Sequence, residues 1–290
     1  MKLIIRFILC FLLFGNIHVY AKQSYQFLGL GDSITTGYGI SDIHNTYVNL
    51  VYNHLVDKLV DKNIFLNNEA IDGLTSTQLL DNVKRNNDLR AKIYNADLII
   101  LSIGGNDYLS ELTLNIGSLD GQKQNFIGIG SRLIDNLKNI YNNIFDLNSD
   151  ALVLVVPLYN PYILILNNNA DLLEVYNQTK DDVINQIDNY RVSAAKKIYT
   201  SNTLGNILEN SENLNKGIDP HPNIIGHKLI AQECIRIFND EYDNLNIVDI
   251  KNDIAGNKDN FISKYKYYLI TLGLIVLVFI TERRYNNSRK

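Results

Sequence analysis

The chain has 290 residues, enough for one domain of about 200 residues plus end segments. Its composition, 46% hydrophobic and 20% charged, is that of a globular protein. A formal net charge of −4 carries no basic excess of the kind a nucleic-acid partner requires.

Residues 1–21 open with Lys2 and Arg6, continue in the apolar run Phe7 to Phe14 and end in Val19-Tyr20-Ala21. A charged start, a short apolar stretch and a small final residue describe a secretory signal peptide, with cleavage expected after Ala21. An uncleaved anchor is the alternative, because His18 and Tyr20 are untidy neighbours for a cleavage site.

Between residues 25 and 240 short apolar runs alternate with longer helical ones. Strands are expected at 25–31, 64–69, 97–103, 151–156 and 203–207. The runs Asp97 to Ile103 and Ala151 to Val156 are nearly continuous apolar stretches, which strands buried on both faces of a parallel sheet show. Helices are expected at about 45–62, 75–92, 125–147, 170–200 and 223–239. Residues 108–124, with Gly117 and Gly121, read as an insertion. Strands alternating with helices predict a doubly wound α/β sheet over the domain 22–240.

Residues 241–264 are rich in Asn, Asp and Lys and read as a polar spacer. Residues 265–281 form an apolar stretch at the lower length limit for spanning a bilayer. Tyr265, Tyr267 and Tyr268 flank it on one side and Tyr285 on the other, as interfacial anchors do. The basic tail 282–290, with Arg283, Arg284, Arg289 and Lys290, is expected in the cytoplasm. A buried terminal helix is the alternative. The two ends together predict an exported domain held at the membrane by its C-terminal helix. Cys10 falls in the leader, so Cys234 is the lone cysteine of the mature chain, and on an apolar helix face it reads as core.

Within the domain, Gly31-Asp32-Ser33 follows the first apolar run and precedes the glycine-rich turn Thr36-Gly37-Tyr38-Gly39. That puts a hydroxyl at the carboxyl end of a strand, where open α/β sheets bind ligands. A hydrolytic serine needs a base for its proton and donors for an oxyanion. Of five histidines, His18 lies in the leader and His54 in a helical run, while His44 sits in a polar loop, a possible substrate contact. His221 stands in Asp219-Pro220-His221-Pro222-Asn223, a loop held by two prolines that opens the helix carrying Gly226-His227. Gly73 follows the second strand and Gly104-Gly105-Asn106-Asp107 the third, offering a backbone and a side-chain donor. Asp32 and Asp107 read as residues that fix their own turns.

These four blocks, in this order and spacing, resemble the SGNH/GDSL hydrolases over about residues 25–240. Val156-Pro157-Leu158-Tyr159-Asn160-Pro161-Tyr162 looks like the bacterial lysophospholipase-like branch. The resemblance implies a flavodoxin-like three-layer α/β/α sandwich with a five-stranded parallel sheet. It implies Ser33 as nucleophile, His221 as general base and Asp219 as the group that orients the imidazole. It implies an oxyanion hole from the Ser33 and Gly73 N–H groups and the Asn106 side chain, with no metal and no cofactor. One departure stands out: the family places the aspartate three residues before the histidine, whereas here Ile218 fills that slot and Asp219 is two before.

The implied reaction is hydrolysis of carboxylic esters through an acyl-serine, on lysophospholipid or short- and medium-chain acyl esters. Pro161 to Leu166 is a candidate acyl-channel wall. An O-acetyl esterase acting on cell-surface polysaccharide is the alternative. A non-catalytic lipid- or glycan-binding module is the alternative of another class, and the intact set of Ser33, Gly73, Asn106 and His221 argues against it.

Overall fold

The computed structural model describes residues 23–112, 119–160, 170–216 and 219–244. The expected signal peptide, the membrane helix 265–281, its basic tail, the spacer beyond residue 244 and the stretch Pro161 to Leu166 lie outside these residues. The chain divides into two compact units, residues 1–237 and 238–290; of the second, the helical residues 238–244 are described.

Five strands, β1 (Gln23–Gly31), β2 (Lys62–Asn68), β3 (Leu98–Ser102), β4 (Leu152–Val156) and β5 (Ile198–Tyr199), form one parallel sheet in the order β2-β1-β3-β4-β5. β3 and β4 are buried at every position, as central strands covered on both faces must be. β2 lies at the edge and alternates between part-buried and exposed positions. Leu98 pairs with Phe27 on one side and Leu152 on the other.

The helices are α1 (Ser33–Thr36), α2 (Tyr47–Lys58), α3 (Ser76–Arg85), α4 (Asn87–Asn95), α5 (Gly105–Leu112), α6 (Leu119–Leu147), α7 (Ala170–Ala194), α8 (Asn202–Glu209) and α9, residues 224–244. One face of the sheet, through Leu28, Leu30, Ile99, Leu101, Val153 and Val155, packs into a single apolar cluster with side chains of α3, α4, α6 and α7. The alternate strand residues, among them Phe27, Leu98 and Ile100, are equally buried on the other face. The architecture is the expected three-layer α/β/α sandwich.

Local details differ from the expectations. The strand expected at 203–207 is the helix α8, and the fifth strand is the two-residue β5, inside the helix expected at 170–200. Leu204 and Leu208 are both buried, four apart on one helical face, and the Ser201 side chain caps the Thr203 N–H. α7 ends at Ala194, and Ala195 leaves it with φ 50°, a left-handed helix exit. The helix expected at 75–92 is two helices, because Asn86 turns out of the first and its side chain accepts the Asp88 and Leu89 N–H groups of the second. The region 108–124 is helical over 108–112 and 119–124, which belong to α5 and α6.

β1 is followed in the chain by β2 on one side and paired with β3 on the other. The order therefore reverses between the carboxyl ends of β1 and β3, the crevice where doubly wound sheets bind ligands. Ser33 follows β1 there and Asn106 follows β3.

Candidate active site

Gly31 ends β1 with φ +127°, and a Cβ on it would lie 1.8 Å from the Ser102 carbonyl oxygen. Only glycine lets the ends of β1 and β3 close in this way. The Asp32 N–H then donates to that same carbonyl at 3.1 Å. Asp32 caps α1 by accepting the Ile34 N–H at 3.1 Å, which presents Ser33 at the first helical position. An N–H at that position has no intrahelical acceptor. Asn68 Nδ2 donates to the Thr35 carbonyl and Thr36 Oγ1 to Asp72, fastening the turn to the loop after β2.

Ser33 Oγ lies 2.9 Å from His221 Nε2, and His221 Nδ1 lies 2.6 Å from Asp219 Oδ1. The shortened spacing still delivers the carboxylate, because Asp219 Oδ1 also accepts the His221 backbone N–H at 2.9 Å, folding the three residues into a tight turn. Asn215 Nδ2 donates to Asp219 Oδ2 at 3.2 Å. Burial pushes the Asp219 carboxyl up, but the hydrogen bonds from the His221 backbone, its ring and Asn215 outweigh it and hold the group below the usual carboxylate range. The carboxylate at Nδ1 calls for the proton on that nitrogen, leaving Nε2 to accept from the serine.

The histidine loop is held from three directions. Tyr159 Oη donates to the Pro220 carbonyl at 2.6 Å. The Asn215 N–H donates to the His221 carbonyl at 2.9 Å, and Leu214 bridges Pro222. Asn223 caps α9 through the Ile225 and Gly226 N–H groups while its amide donates to the Glu212 and Leu214 carbonyls. Tyr38 packs on the imidazole with ring centroids 4.7 Å apart. Tyr38, Tyr159 and Asn215 escape a reading of the sequence. Tyr159 stands in the segment after β4 noted for its resemblance, while Asn215 bonds Asp219 and the His221 carbonyl from four and six residues away, within the same loop.

Asn106 lines the same cleft as Ser33 and His221, with Ile103, Leu109 and Tyr176. One Asn106 Nδ2 hydrogen goes to the Leu74 carbonyl at 3.0 Å, and the amide has a second to offer. Gly73 precedes Leu74, with φ +75°. It is not among the cleft-lining residues; the Asn106–Leu74 bond is what brings its loop to the site. Asp107 does more than hold its own turn. It reaches across to accept the Ser76 N–H at 2.8 Å and hydroxyl at 2.6 Å, joining the starts of α5 and α3. Burial raises its carboxyl against those two bonds. Burial likewise pushes Asp32 up to about 7, opposed by the Ile34 N–H and reinforced by the charge of Asp107.

The remaining histidines stand apart. His44 is exposed in a 3₁₀ turn capped by Asp42, and it is not among the cleft-lining residues. His227 is fully buried, its Nδ1 accepting the first N–H of α2, from Tyr47, at 3.2 Å. Burial, with His221 nearby, holds His227 down to about 4. Cys234 is buried, and burial pushes its thiol up to about 12, as an inert core residue requires. Among the described residues no cluster of side chains could hold a metal ion.

The sequence matches the model of the GDSL-like Lipase/Acylhydrolase family over residues 27–234. No curated protein matches it by sequence. The fold is similar to that of the lipase Lip_vut3 from a goat rumen metagenome, with TM-score 0.61 and 20% identity, covering 73% of this chain and 97% of that one. It is also similar to a family 3 carbohydrate esterase of Clostridium thermocellum, with TM-score 0.53 and 21% identity, covering 77% of this chain and 99% of that one. With the family match spanning most of the domain that carries the Ser33–His221 contact, the chain belongs to the GDSL-like lipase/acylhydrolase family and is a carboxylic ester hydrolase.

Proposed function

We propose that this protein hydrolyses short- and medium-chain carboxylic esters through an acyl-serine intermediate. The observation that carries this reading is the line of contacts from Ser33 Oγ through the His221 ring to Asp219, at 2.9 and 2.6 Å, opening into a cleft. Ser33 attacks the ester carbonyl while His221 Nε2 takes its proton. Asp219 holds the ring and favours the imidazolium that forms. The Ser33 N–H, the free Asn106 amide hydrogen and the Gly73 N–H stabilise the oxyanion. His221 then protonates the leaving alcohol, and water repeats the sequence on the acyl-serine.

The cleft at Ser33 encloses about 70 Å³, which supports a short acyl group over the long chain of a lysophospholipid. The same small cavity favours a second reading, removal of O-acetyl groups from cell-surface polysaccharide. The family 3 carbohydrate esterase of similar fold is consistent with that reading. We read the domain as exported by residues 1–21 and held at the cell membrane by residues 265–281.

Hydrolysis of p-nitrophenyl acetate, butyrate, octanoate and palmitate by the full chain, with Ser33→Ala beside it, tests the proposal. Rates highest at acetate or butyrate and abolished in Ser33→Ala are expected. Highest rates at palmitate would replace the short-chain reading with a lipid one. Activity on acetate alone would turn the search to acetylated sugars. Undiminished hydrolysis by Ser33→Ala would overturn the assignment.

A further inference from the structure

We propose that Tyr38 is a positioning residue for the reaction: its ring steadies the His221 imidazole and stabilises the imidazolium that forms when Ser33 gives up its proton. This rests on the reading of Ser33 and His221 given above. The two ring centroids lie 4.7 Å apart, with the planes at 41°. That is inside the roughly 6 Å over which the face of an aromatic ring attracts a cation. Asp219 holds the imidazole at Nδ1 and Ser33 meets it at Nε2, both at its edge. Tyr38 adds a ring contact from a third side.

The chain fixes Tyr38 relative to both ends of that line of contacts. The Gly37 and Tyr38 N–H groups donate to the Ser33 carbonyl at 3.2 and 3.0 Å, so the turn closes on the nucleophile's own residue. Gly37 and Gly39, on either side of Tyr38, have φ +82° and +83°, in the left-handed region. A Cβ at Gly37 would lie 2.2 Å from Thr46 Cγ2, and one at Gly39 3.0 Å from Asn215 Nδ2, the atom that donates to Asp219. The turn that presents Tyr38 thus packs against the residue that holds the carboxylate. Tyr38 is 52% exposed and the His221 side chain 19%, so the tyrosine covers the imidazole more than it gains burial for itself.

The charge that Tyr38 meets arises during the reaction. A neutral imidazole gains little from an aromatic face, whereas an imidazolium at an exposed site is favoured about two- to fivefold. The titratable groups beside the ring are Asp219 at Nδ1, Asp32 in the cleft, Tyr159 on the Pro220 carbonyl and His227 from α9. Asp219 favours the imidazolium. His227 is held down to about 4, so above that it is neutral and sets no charge against it. Replacing Tyr38 removes none of these groups. A ring that favours the imidazolium makes His221 a stronger base; without it the base is weaker and loses its proton at lower pH.

The test is the pH dependence of kcat/KM on p-nitrophenyl acetate for the full chain and for Tyr38→Leu, Tyr38→Phe and Tyr38→Trp, with Ser33→Ala as the blank. Tyr38→Leu keeps apolar cover but has no π face. Its acidic limb should move to lower pH by about half a unit, and its plateau should fall about two- to fivefold. Tyr38→Phe should keep the native limb. Tyr38→Trp, with the stronger π face, should keep it or move it to higher pH. An unmoved limb in Tyr38→Leu, an equal shift in Tyr38→Phe, or a downward shift in Tyr38→Trp would overturn the role of the ring while Ser33 dependence holds. Loss of Ser33 dependence would remove the catalytic reading and this role with it.

Discussion

His227 and Asp32 should pull stability in opposite directions as the pH falls. His227 is fully buried, accepts the Tyr47 N–H at the start of α2 and stacks on the Tyr47 ring at 5.9 Å. Its imidazole is held down from the ordinary 6.5 to about 4, chiefly by burial. Between those values the unfolded chain binds a proton that the native state refuses, so stability is lost as the pH falls from 6.5 to 4. The loss is roughly 3 kcal/mol in full. Asp32 works the other way. Its carboxyl is raised from the ordinary 3.8 to about 7, chiefly by burial, so in the same range the native state keeps a proton that the unfolded chain releases. Acidification therefore stabilises through Asp32, by a similar amount. The two nearly cancel in the native chain, and each variant exposes the other. Urea unfolding at pH 7 and pH 4.5 reads this directly. His227→Asn, which keeps an acceptor for Tyr47, should lose less stability on acidification than the native chain. Asp32→Asn, which keeps the helix cap, should lose more. A variant-minus-native difference that moves by less than about 1 kcal/mol between the two pH values would refute the reasoning for that residue.

Two further outcomes follow from the site. Asp219→Ala removes the acceptor of both the His221 ring and its backbone N–H, and should lower kcat on a short ester by about 10⁴. Retention of a tenth of the native rate would show that the imidazole is oriented by something else. Gly226→Ala places a Cβ 2.3 Å from the Asn213 carbonyl oxygen, which is backbone and accepts the Asn223 N–H. The start of α9 must then shift from the segment 213–215, costing about 1–3 kcal/mol in thermal or chemical unfolding and slowing ester hydrolysis. An unchanged midpoint would mean that the loop yields at no cost.

Much of this protein is legible along the chain. β3 and β4, and β1 from Phe27 onward, announce themselves because strands covered on both faces read as nearly continuous apolar runs, a property each carries within a few residues of its own. Ser33, Asn106 and His221 are likewise found in short motifs, since each sits in a turn whose glycines and prolines are its own. What fails is what depends on partners elsewhere. β5 is a strand only because Ile198 and Tyr199 pair with β4, and two residues carry no period of their own. The role of Asp219 turned on whether a contracted loop could reach the imidazole, and the answer lies in a backbone N–H that turns the carboxylate back. Tyr159 and Tyr38 come to the histidine loop across separations that no local pattern encodes, whereas Asn215 reaches Asp219 from four residues away. Asp107, expected to serve its own turn, also reaches Ser76, 31 residues away, and joins the starts of two helices. Local hydrophobic period and turn chemistry thus set the layers and supply the reacting groups. Chain pairing through space alone decides which polar groups meet, because a hydrogen bond depends on distance and angle and not on order along the chain.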